Sequence, residues 1–243
     1  MIYEDPIVRY LCPACGNPYF ESSVVSYSVF HRVGYTDGSV RSEIPSKLWL
    51  TRCPKCKQFF AKEHLFRFPM TASVENLIRF STYHGHNGDR ENNREDEELY
   101  GRLDRTLDEN ESAVDFLEQA VKAGLYFPIT ASREKREGLN IKLHMTLWQE
   151  SNFARDEVSD EKYTDFCKSL IKLLISTKLF VFEKELTLAE LYRNIGDFEE
   201  AMRQLGRSAV NSKTQTVFDA IKKEIEKKNT KTAIAWEGGF PHC

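Results

Sequence analysis

The chain has 243 residues, of which 41% are hydrophobic and 29% are charged, and its formal net charge is −3. This composition is typical of a soluble globular protein and argues against a chain devoted wholly to nucleic acid. Residues 1–70 hold nine basic and six acidic side chains, whereas the remaining residues carry a balance of −6. The N-terminal part is therefore mildly basic, and the rest of the chain is acidic.

The first 70 residues carry the signals of a β-rich unit. Alternating apolar residues between 19 and 33 predict one half-buried strand. Asp37 followed by Gly38 predicts a hairpin turn, since this dipeptide readily supplies the positive φ values that such turns need. Further strands are predicted at 48–51, 59–60 and 65–68.

The composition changes sharply after Pro69. Thr71 is a candidate cap of a short helix, and residues 84–98 are rich in Gly, Asn and charged side chains with almost nothing apolar. We therefore assign residues 71–98 to a short helix and a polar linker between two domains.

From residue 99 onward the apolar period becomes helical. Ser159, followed by two acidic residues, predicts the cap of a long helix that runs to about residue 182. The predicted fold is α+β, with a β-rich unit at 1–70 followed by an all-α domain at 99–243. Apolar stripes predict the other helices at 99–107, 114–121, 139–147, 185–195, 198–209 and 214–228.

Two close pairs of cysteines, each separated by two residues, predict a metal site: Cys12, Cys15, Cys53 and Cys56. This spacing lets one tight turn direct both sulfurs at a single ion, and two such turns form a closed tetrahedral site. A structural Zn²⁺ in a zinc ribbon is the first assignment. Iron is the second, because the paired turns also resemble those of rubredoxins.

The remaining sequence suggests a cytoplasmic protein without a membrane segment. Residues 1–10 contain Glu4, Asp5 and Pro6 and do not resemble a secretory signal. The longest apolar stretch, 170–182, is interrupted by two lysines. Cys167 is expected to be a buried structural thiol rather than a nucleophile, because it lies among apolar residues of a predicted helix. For Cys243, at the chain end, fraying is the expectation.

Residues 188–201 resemble the centre of a tetratricopeptide repeat. Ala189 is small enough for a second helix to approach closely, Gly196 ends the first helix, and Asp197 caps the second with Glu200 three residues later. Glu185 stands where such repeats usually begin with an aromatic residue, and Lys213 stands where they usually end with proline. Residues 136–182, which include Trp148, have the size of an earlier helical pair.

The order of these parts is similar to that of a group of uncharacterised bacterial proteins, in which a two-knuckle cysteine ribbon precedes tetratricopeptide-like helices. The similarity rests on residues 12–16, 52–56 and 190–201. It implies this architecture and a zinc ion, and it implies no activity.

An adaptor that holds a protein or peptide partner is the first functional hypothesis. Stacked tetratricopeptide-like helices expose a concave surface that commonly binds such partners. Arg193, Asn194 and Arg203 are the candidate partner-binding residues, and a solvated helix face is the alternative interpretation of each.

Nucleic-acid binding by the ribbon is the second hypothesis. Arg52, Lys55 and Lys57 could contact phosphates and Trp49 could stack on bases, whereas the alternative interpretation places the aromatic residues in the core. The sequence contains no Gly-rich phosphate loop, no Gly-x-Ser-x-Gly turn and no His-Glu-x-x-His helix, so no enzyme is predicted.

Overall fold

The fold is taken from a computed structural model. Its described residues fall into two compact units. The cysteine unit lies within residues 1–28, 48–112 and 122–130, and the helical unit lies within residues 29–47, 113–121 and 131–243. The structure describes residues 3–4, 8–21, 24–26, 32–42, 48–62, 66–68, 111–179, 181, 183–212 and 214–238.

Short antiparallel strands are the main elements of the described part of the cysteine unit. The strands are β1 (Tyr3–Glu4), β2 (Val8–Leu11), β3 (Pro18–Glu21), β4 (Val24–Ser26), β7 (Leu50–Arg52), β8 (Phe59–Ala61) and β9 (Phe66–Phe68). β2 pairs with both β3 and β9, β1 pairs with β4, and β7 pairs with β8. The β7–β8 pair is rich in buried side chains, since Leu50 and Phe60 are fully buried.

Six helices and three strands form the described part of the helical unit, although the last two residues of the first helix, Lys122 and Ala123, lie in the cysteine unit. The strands β5 (Arg32–Tyr35), β6 (Val40–Ser42) and β10 (Ile234–Gly238) form one antiparallel sheet with β5 in the centre. The helices are α1 (Ala113–Ala123), α2 (Arg133–Phe153), α3 (Asp160–Ser176), α4 (Lys184–Asn194), α5 (Phe198–Leu205) and α6 (Gln215–Glu226).

Helix α3 begins as predicted and ends earlier than predicted. The side chain of Ser159 accepts a hydrogen bond from the amide of Lys162, which confirms the N-cap. The chain leaves the helix at Thr177, whose hydroxyl donates to Glu137 and accepts from the amide of Leu179 at 3.1 Å. The prediction that this helix extends to residue 182 is therefore wrong. Helix α5 likewise ends at Leu205 rather than at residue 209.

The turn between α4 and α5 agrees with the sequence pattern. Gly196 has φ of 83°, and the amide of Asp197 donates to the carbonyl of Tyr192 at 2.9 Å, which closes α4 with a Schellman-type turn. The Asp197 side chain then caps α5 by accepting from the amide of Glu200 at 3.1 Å. Ala189 and Ala201 are fully buried in one apolar cluster with residues of α6.

Two β predictions differ from the structure. The single strand predicted within 19–33 is instead three strands, β3, β4 and β5, which pair in three different sheets. The hairpin turn at Asp37 and Gly38 is confirmed, with Gly38 at φ of 76°, but residues 29–47 belong to the helical unit. Together with β10, which the sequence patterns did not predict, this hairpin gives the helical unit a sheet, so it is not all-α.

Several predictions fall on residues outside the described part of the chain: the short helix from Thr71, the linker 84–98, the stripe at 99–107 and Cys243. Within the described residues, no helix has the length and apolar content needed to cross a bilayer.

Candidate metal centre

Each cysteine pair lies on a tight turn, and the two turns have the same hydrogen bonds. In the first turn the amide of Cys12 donates to the carbonyl of Asn17 at 2.9 Å, and the amide of Gly16 donates back to the carbonyl of Cys12 at 2.8 Å. In the second turn Cys53 donates to Gln58 and Lys57 donates to Cys53, both at 2.9 Å. The chain therefore builds the same cysteine-bearing turn twice.

The fifth position of both turns has a left-handed backbone. Gly16 has φ of 70° and Lys57 has φ of 58°. Glycine adopts this conformation without a steric penalty, whereas a residue with a Cβ pays roughly 1–2 kcal/mol. The sequence did not predict the role of Lys57, because nothing about a lysine indicates a left-handed position.

The four sulfur atoms have the spacing of a tetrahedral thiolate site. All of them lie within 4.8 Å of one another, with 3.6 Å between the Sγ atoms of Cys12 and Cys56 and 3.8 Å between those of Cys15 and Cys53. A Zn–S bond of about 2.3 Å implies a tetrahedral S···S separation of about 3.8 Å. These distances far exceed the roughly 2.05 Å of a disulfide. The arrangement fits a metal ion such as Zn²⁺.

Burial differs among the four cysteines. Cys53 and Cys12 are buried against the fully buried ring of Phe60, whereas Cys15 is exposed to solvent. Burial raises the pKa of the Cys12 thiol to about 12 and also raises the pKa of Cys53. The backbone amide of Asn17 lowers the pKa of Cys15 to about 7. A metal ion must therefore displace protons from the two buried thiols when it binds.

A segment distant in sequence completes the apolar surroundings of the site. The amide of Tyr126 donates to the carbonyl of Phe59 at 2.8 Å, and Leu125 forms a parallel bridge with Phe59. The Tyr126 ring packs edge-on against Phe60 with 5.4 Å between centroids. The sequence of this region predicted only the end of a helix, since its pairing with β8 is not a local property.

The nucleic-acid candidates are only partly available on the surface. Arg52 forms a bidentate ion pair with Glu111, with N–O distances of 2.8 and 3.1 Å, and both side chains are about nine-tenths buried. Trp49 is half-buried, whereas Lys55 and Lys57 are exposed. Phe59 and Phe60 lie in the core of the unit. Of the candidates Arg52, Lys55, Lys57 and Trp49, all of which the structure describes, only the two lysines are fully exposed.

The partner-binding candidates are divided between interior and surface. Arg193 is fully buried and Asn194 is 5% exposed, while the Arg203 side chain is 63% exposed. Arg193 forms an ion pair with Glu190, which is also fully buried, at 2.5 Å. The positions of Arg193 and Asn194 in the interior differ from the surface location that the helix pattern suggested.

These two interior residues belong to a polar network that the sequence did not predict. Asn194 accepts hydrogen bonds from Trp148 at 3.1 Å and from Tyr163 at 3.0 Å, so it connects helices α2, α3 and α4. The Thr36 hydroxyl of the hairpin donates to Glu190 at 2.5 Å. The only local signal was the opposite charge of Glu190 and Arg193 three residues apart on a helix that also carries buried Ala189.

The hairpin turn enters the same network through Asp37. Its carboxylate accepts from the amide and hydroxyl of Ser39 at 2.9 and 2.6 Å and from the Asn152 side chain at 2.7 Å. The Asp37 backbone carbonyl accepts from Gln149 at 3.0 Å. Asp37 is thus bound to α2 through both its side chain and its backbone, which explains why the hairpin belongs to the helical unit.

Cys167 is fully buried in α3, and burial raises its pKa to about 12. This agrees with the expected structural thiol and gives no sign of a nucleophile. Among the described residues, no second group of three or more His, Cys, Asp and Glu side chains could share a metal ion.

Comparison of the chain with protein-family models, with curated proteins and with solved structures finds no match. Its function is therefore inferred from the geometry of its own residues.

Proposed function

We propose that the four cysteines hold a structural Zn²⁺ and that the chain is an adaptor or scaffold protein whose helical unit binds a protein or peptide partner. The observation that carries the metal assignment is the closed set of four thiolates at tetrahedral spacing. Catalytic zinc keeps an open position for water or substrate, and four protein ligands leave none. Zinc is preferred to iron because no other redox feature accompanies the site in the sequence.

The partner-binding role is supported by the α4–α5 pair. Its buried alanines, its Gly196 turn and its Asp197 cap follow the pattern of a tetratricopeptide helix pair, a class of fold that commonly binds peptides. Arg203 is the exposed candidate for partner contact. A reducing, cytoplasmic location suits a site that needs four free thiols.

Elemental analysis of protein purified without chelator tests the metal assignment. We expect one zinc and little iron per chain, and no zinc in the Cys15→Ser variant. Cys167→Ala is the matched control, since it removes a cysteine outside the site and should retain the metal. Metal-free wild-type protein would contradict the assignment.

Affinity capture from native extract, with and without nuclease, tests the binding role. Capture of a protein that survives nuclease supports the adaptor. Recovery of nucleic acid alone, lost as salt rises, would instead support the alternative in which Lys55, Lys57 and their neighbours contact phosphates.

A further inference from the structure

The C-terminal segment of the helical unit, residues 229–238, lies over buried side chains without being buried itself. We call this segment the strap. No residue from 226 to 237 is buried, and Ile234 and Trp236 are 51% and 37% exposed. Because a segment that buries little apolar surface opens at low cost, the strap belongs to the less stable end of its unit.

Beneath the strap, two buried side chains bind its backbone. Arg193 donates through Nη1 to the carbonyls of Asn229 and Lys231, the latter at 2.9 Å. Asn194 donates through Nδ2 to the intervening carbonyl of Thr230 at 3.0 Å. Three successive carbonyls are thus recognised by side chains fixed in the interior.

The sheet side of the strap is also held through backbone atoms. The amide of Thr36 donates to the carbonyl of Ala233 at 2.9 Å, and the amide of Ala233 donates to the Thr36 hydroxyl at 3.1 Å. Beyond this point β10 pairs with β5. Among the described residues, side-chain polar contacts of the strap are few: Asn229 donates to Glu224 and accepts from the amide of Lys231, and Lys231 forms a 4.0 Å ion pair with Asp156.

One side chain of the strap, that of Trp236, packs at a specific position on β5. The Trp236 indole lies so close to Gly34 of β5 that an added Cβ there would come within 2.1 Å of its Nε1 atom. Only glycine at position 34 permits this contact. The site therefore recognises backbone atoms of residues 229–233, a strand at Ile234–Gly238 and one large flat side chain.

We propose that this is a peptide-binding site, that the strap fills it within the same chain, and that the partner is an extended segment of another protein that replaces the strap by adding a strand to β5. This inference rests on the proposed binding function and names the partner class. Departure of β10 exposes an edge of β5, and strand addition to such an edge is a general mode of peptide recognition.

The tethered strap competes with any partner at millimolar effective concentration, so the wild-type site is largely closed. The test therefore uses full-length, zinc-loaded protein with a weakened strap. Trp236→Ala removes the side chain that packs on Gly34 and leaves unchanged the residues that bind the strap. The probe is a fluorescein-labelled peptide with the sequence of residues 229–238, and fluorescence anisotropy measures its binding.

We expect Trp236→Ala to bind the probe on the order of tenfold or more tightly than wild type, since tryptophan is among the residues that most often dominate a binding interface. Adding Gly34→Ala should abolish this gain, because the new Cβ blocks the indole of the probe. A probe with alanine in place of tryptophan should bind equally to both variants. Retained zinc content and an unchanged circular dichroism spectrum confirm that the variants are folded.

Modified probes test backbone recognition. Alanine at the positions of Thr230 and Lys231 should change affinity by less than about threefold, since the buried side chains bind only their carbonyls and the ion pair of Lys231 with Asp156 is exposed to solvent. N-methylation at the position of Ala233 should abolish binding. Strong dependence on the side chains of Thr230 and Lys231 would contradict recognition through the backbone.

Hydrogen exchange of the strap amides shows whether the strap opens in each variant. Faster exchange in Trp236→Ala without a gain in probe binding would overturn the inference. Unchanged exchange in both Trp236→Ala and the Gly34→Ala single variant would also overturn it, since the strap would not be displaceable.

Affinity capture from extract separates this inference from the proposed function. A protein captured better by Trp236→Ala than by wild type, and displaced by the probe, supports both. Equal capture by both chains supports the binding function at another surface and overturns the strap as its regulator. Probe binding without any captured protein would contradict the proposed function alone.

Discussion

The cysteine unit and the helical unit are stabilised by different means. The described strands of the cysteine unit have two to four residues each, and their core gathers around Cys12, Cys53 and Phe60. The helical unit has helices of up to 21 residues, an apolar cluster between α4, α5 and α6, and a buried polar network around Arg193. Small units with little core usually need a staple such as a metal ion, so we expect the cysteine unit to depend on its metal and the helical unit on packing and hydrogen bonds.

The contrast shows where charge in this chain serves structure. Arg52 and Arg193 both looked like surface ligands of a partner, and each instead forms a buried ion pair within its own unit. The role of a charged residue in a short strand or a helix therefore follows from the side chain it contacts, and the residue type alone does not reveal it. Substitutions in one unit at a time should therefore destabilise that unit and leave the other unchanged.

Loss of a ligand in the cysteine unit should have the greatest consequence. Cys53→Ser should unfold this unit, because structural zinc contributes on the order of 10–16 kcal/mol of apparent binding energy in small domains. Thermal unfolding followed by calorimetry should lose the transition of the cysteine unit and keep that of the helical unit. Equal loss of both transitions would show that the metal stabilises the whole chain.

Loss of the buried ion pair should have the second-largest effect, and only in the helical unit. Arg193→Met leaves Glu190 buried without its partner, which costs about 3–5 kcal/mol of unfolding free energy. Urea unfolding followed by circular dichroism measures this loss. Arg203→Met is the control and should change stability by less than about 0.5 kcal/mol, since Arg203 is exposed. A loss below about 1 kcal/mol for Arg193→Met would contradict the importance of the network.

Metal affinity should depend steeply on pH. The raised pKa values of Cys12 and Cys53 keep both thiols protonated near neutral pH, so binding must release their protons. Affinity should therefore fall at least about a hundredfold for each pH unit lowered between pH 9 and 7, and more steeply below the pKa of Cys15. Calorimetry in buffers of different ionisation enthalpy counts the protons. Release of fewer than one would show that the thiols are already ionised.

The two left-handed positions of the cysteine-bearing turns should respond in opposite directions. Gly16→Ala should destabilise the cysteine unit by about 1–2 kcal/mol, because no neighbour lies within 4 Å of the added Cβ and only backbone strain remains. Lys57→Gly removes such strain and should be neutral or stabilising by up to about 1 kcal/mol. Competition with a chelator for zinc measures the metal affinity of both variants. If both substitutions destabilised the unit by the same amount, the two turns would not be equivalent.

A small gain in stability is expected in the helical unit, at Gly138 of α2. An added Cβ would meet Leu179 at 3.8 Å, which is ordinary contact, and alanine is the better helix former. Gly138→Ala should therefore stabilise the helical unit by about 0.5–1 kcal/mol in urea unfolding. Destabilisation would indicate that α2 and Leu179 are packed more tightly than this distance implies.

Local chemistry made part of this fold predictable. The spacing of the cysteines predicted their clustering, because each pair needs only one turn to direct its sulfurs. Ser159 and Asp197 predicted helix starts, because a capping side chain acts on amides three residues away. The turn at Gly38 was equally local.

The features that the sequence did not predict depend on partners far along the chain. The hairpin belongs to the helical unit because Asp37 is bound by Gln149 and Asn152, more than 100 residues later. Tyr126 reaches Phe59 across a similarly non-local pairing. β10 has only a short apolar alternation near the chain end, and its partner β5 lies about 200 residues before it.

Hydrogen exchange of the full-length protein, with and without a strong chelator, is the decisive test of the metal's role. The units are interleaved along the chain, so cutting them apart would not be a fair test. We predict that chelation removes protection from residues 50–61 and 122–127 and leaves residues 186–205 protected. Unchanged protection of residues 50–61 after removal of the metal would contradict the claim that four cysteines and their ion hold the cysteine unit together.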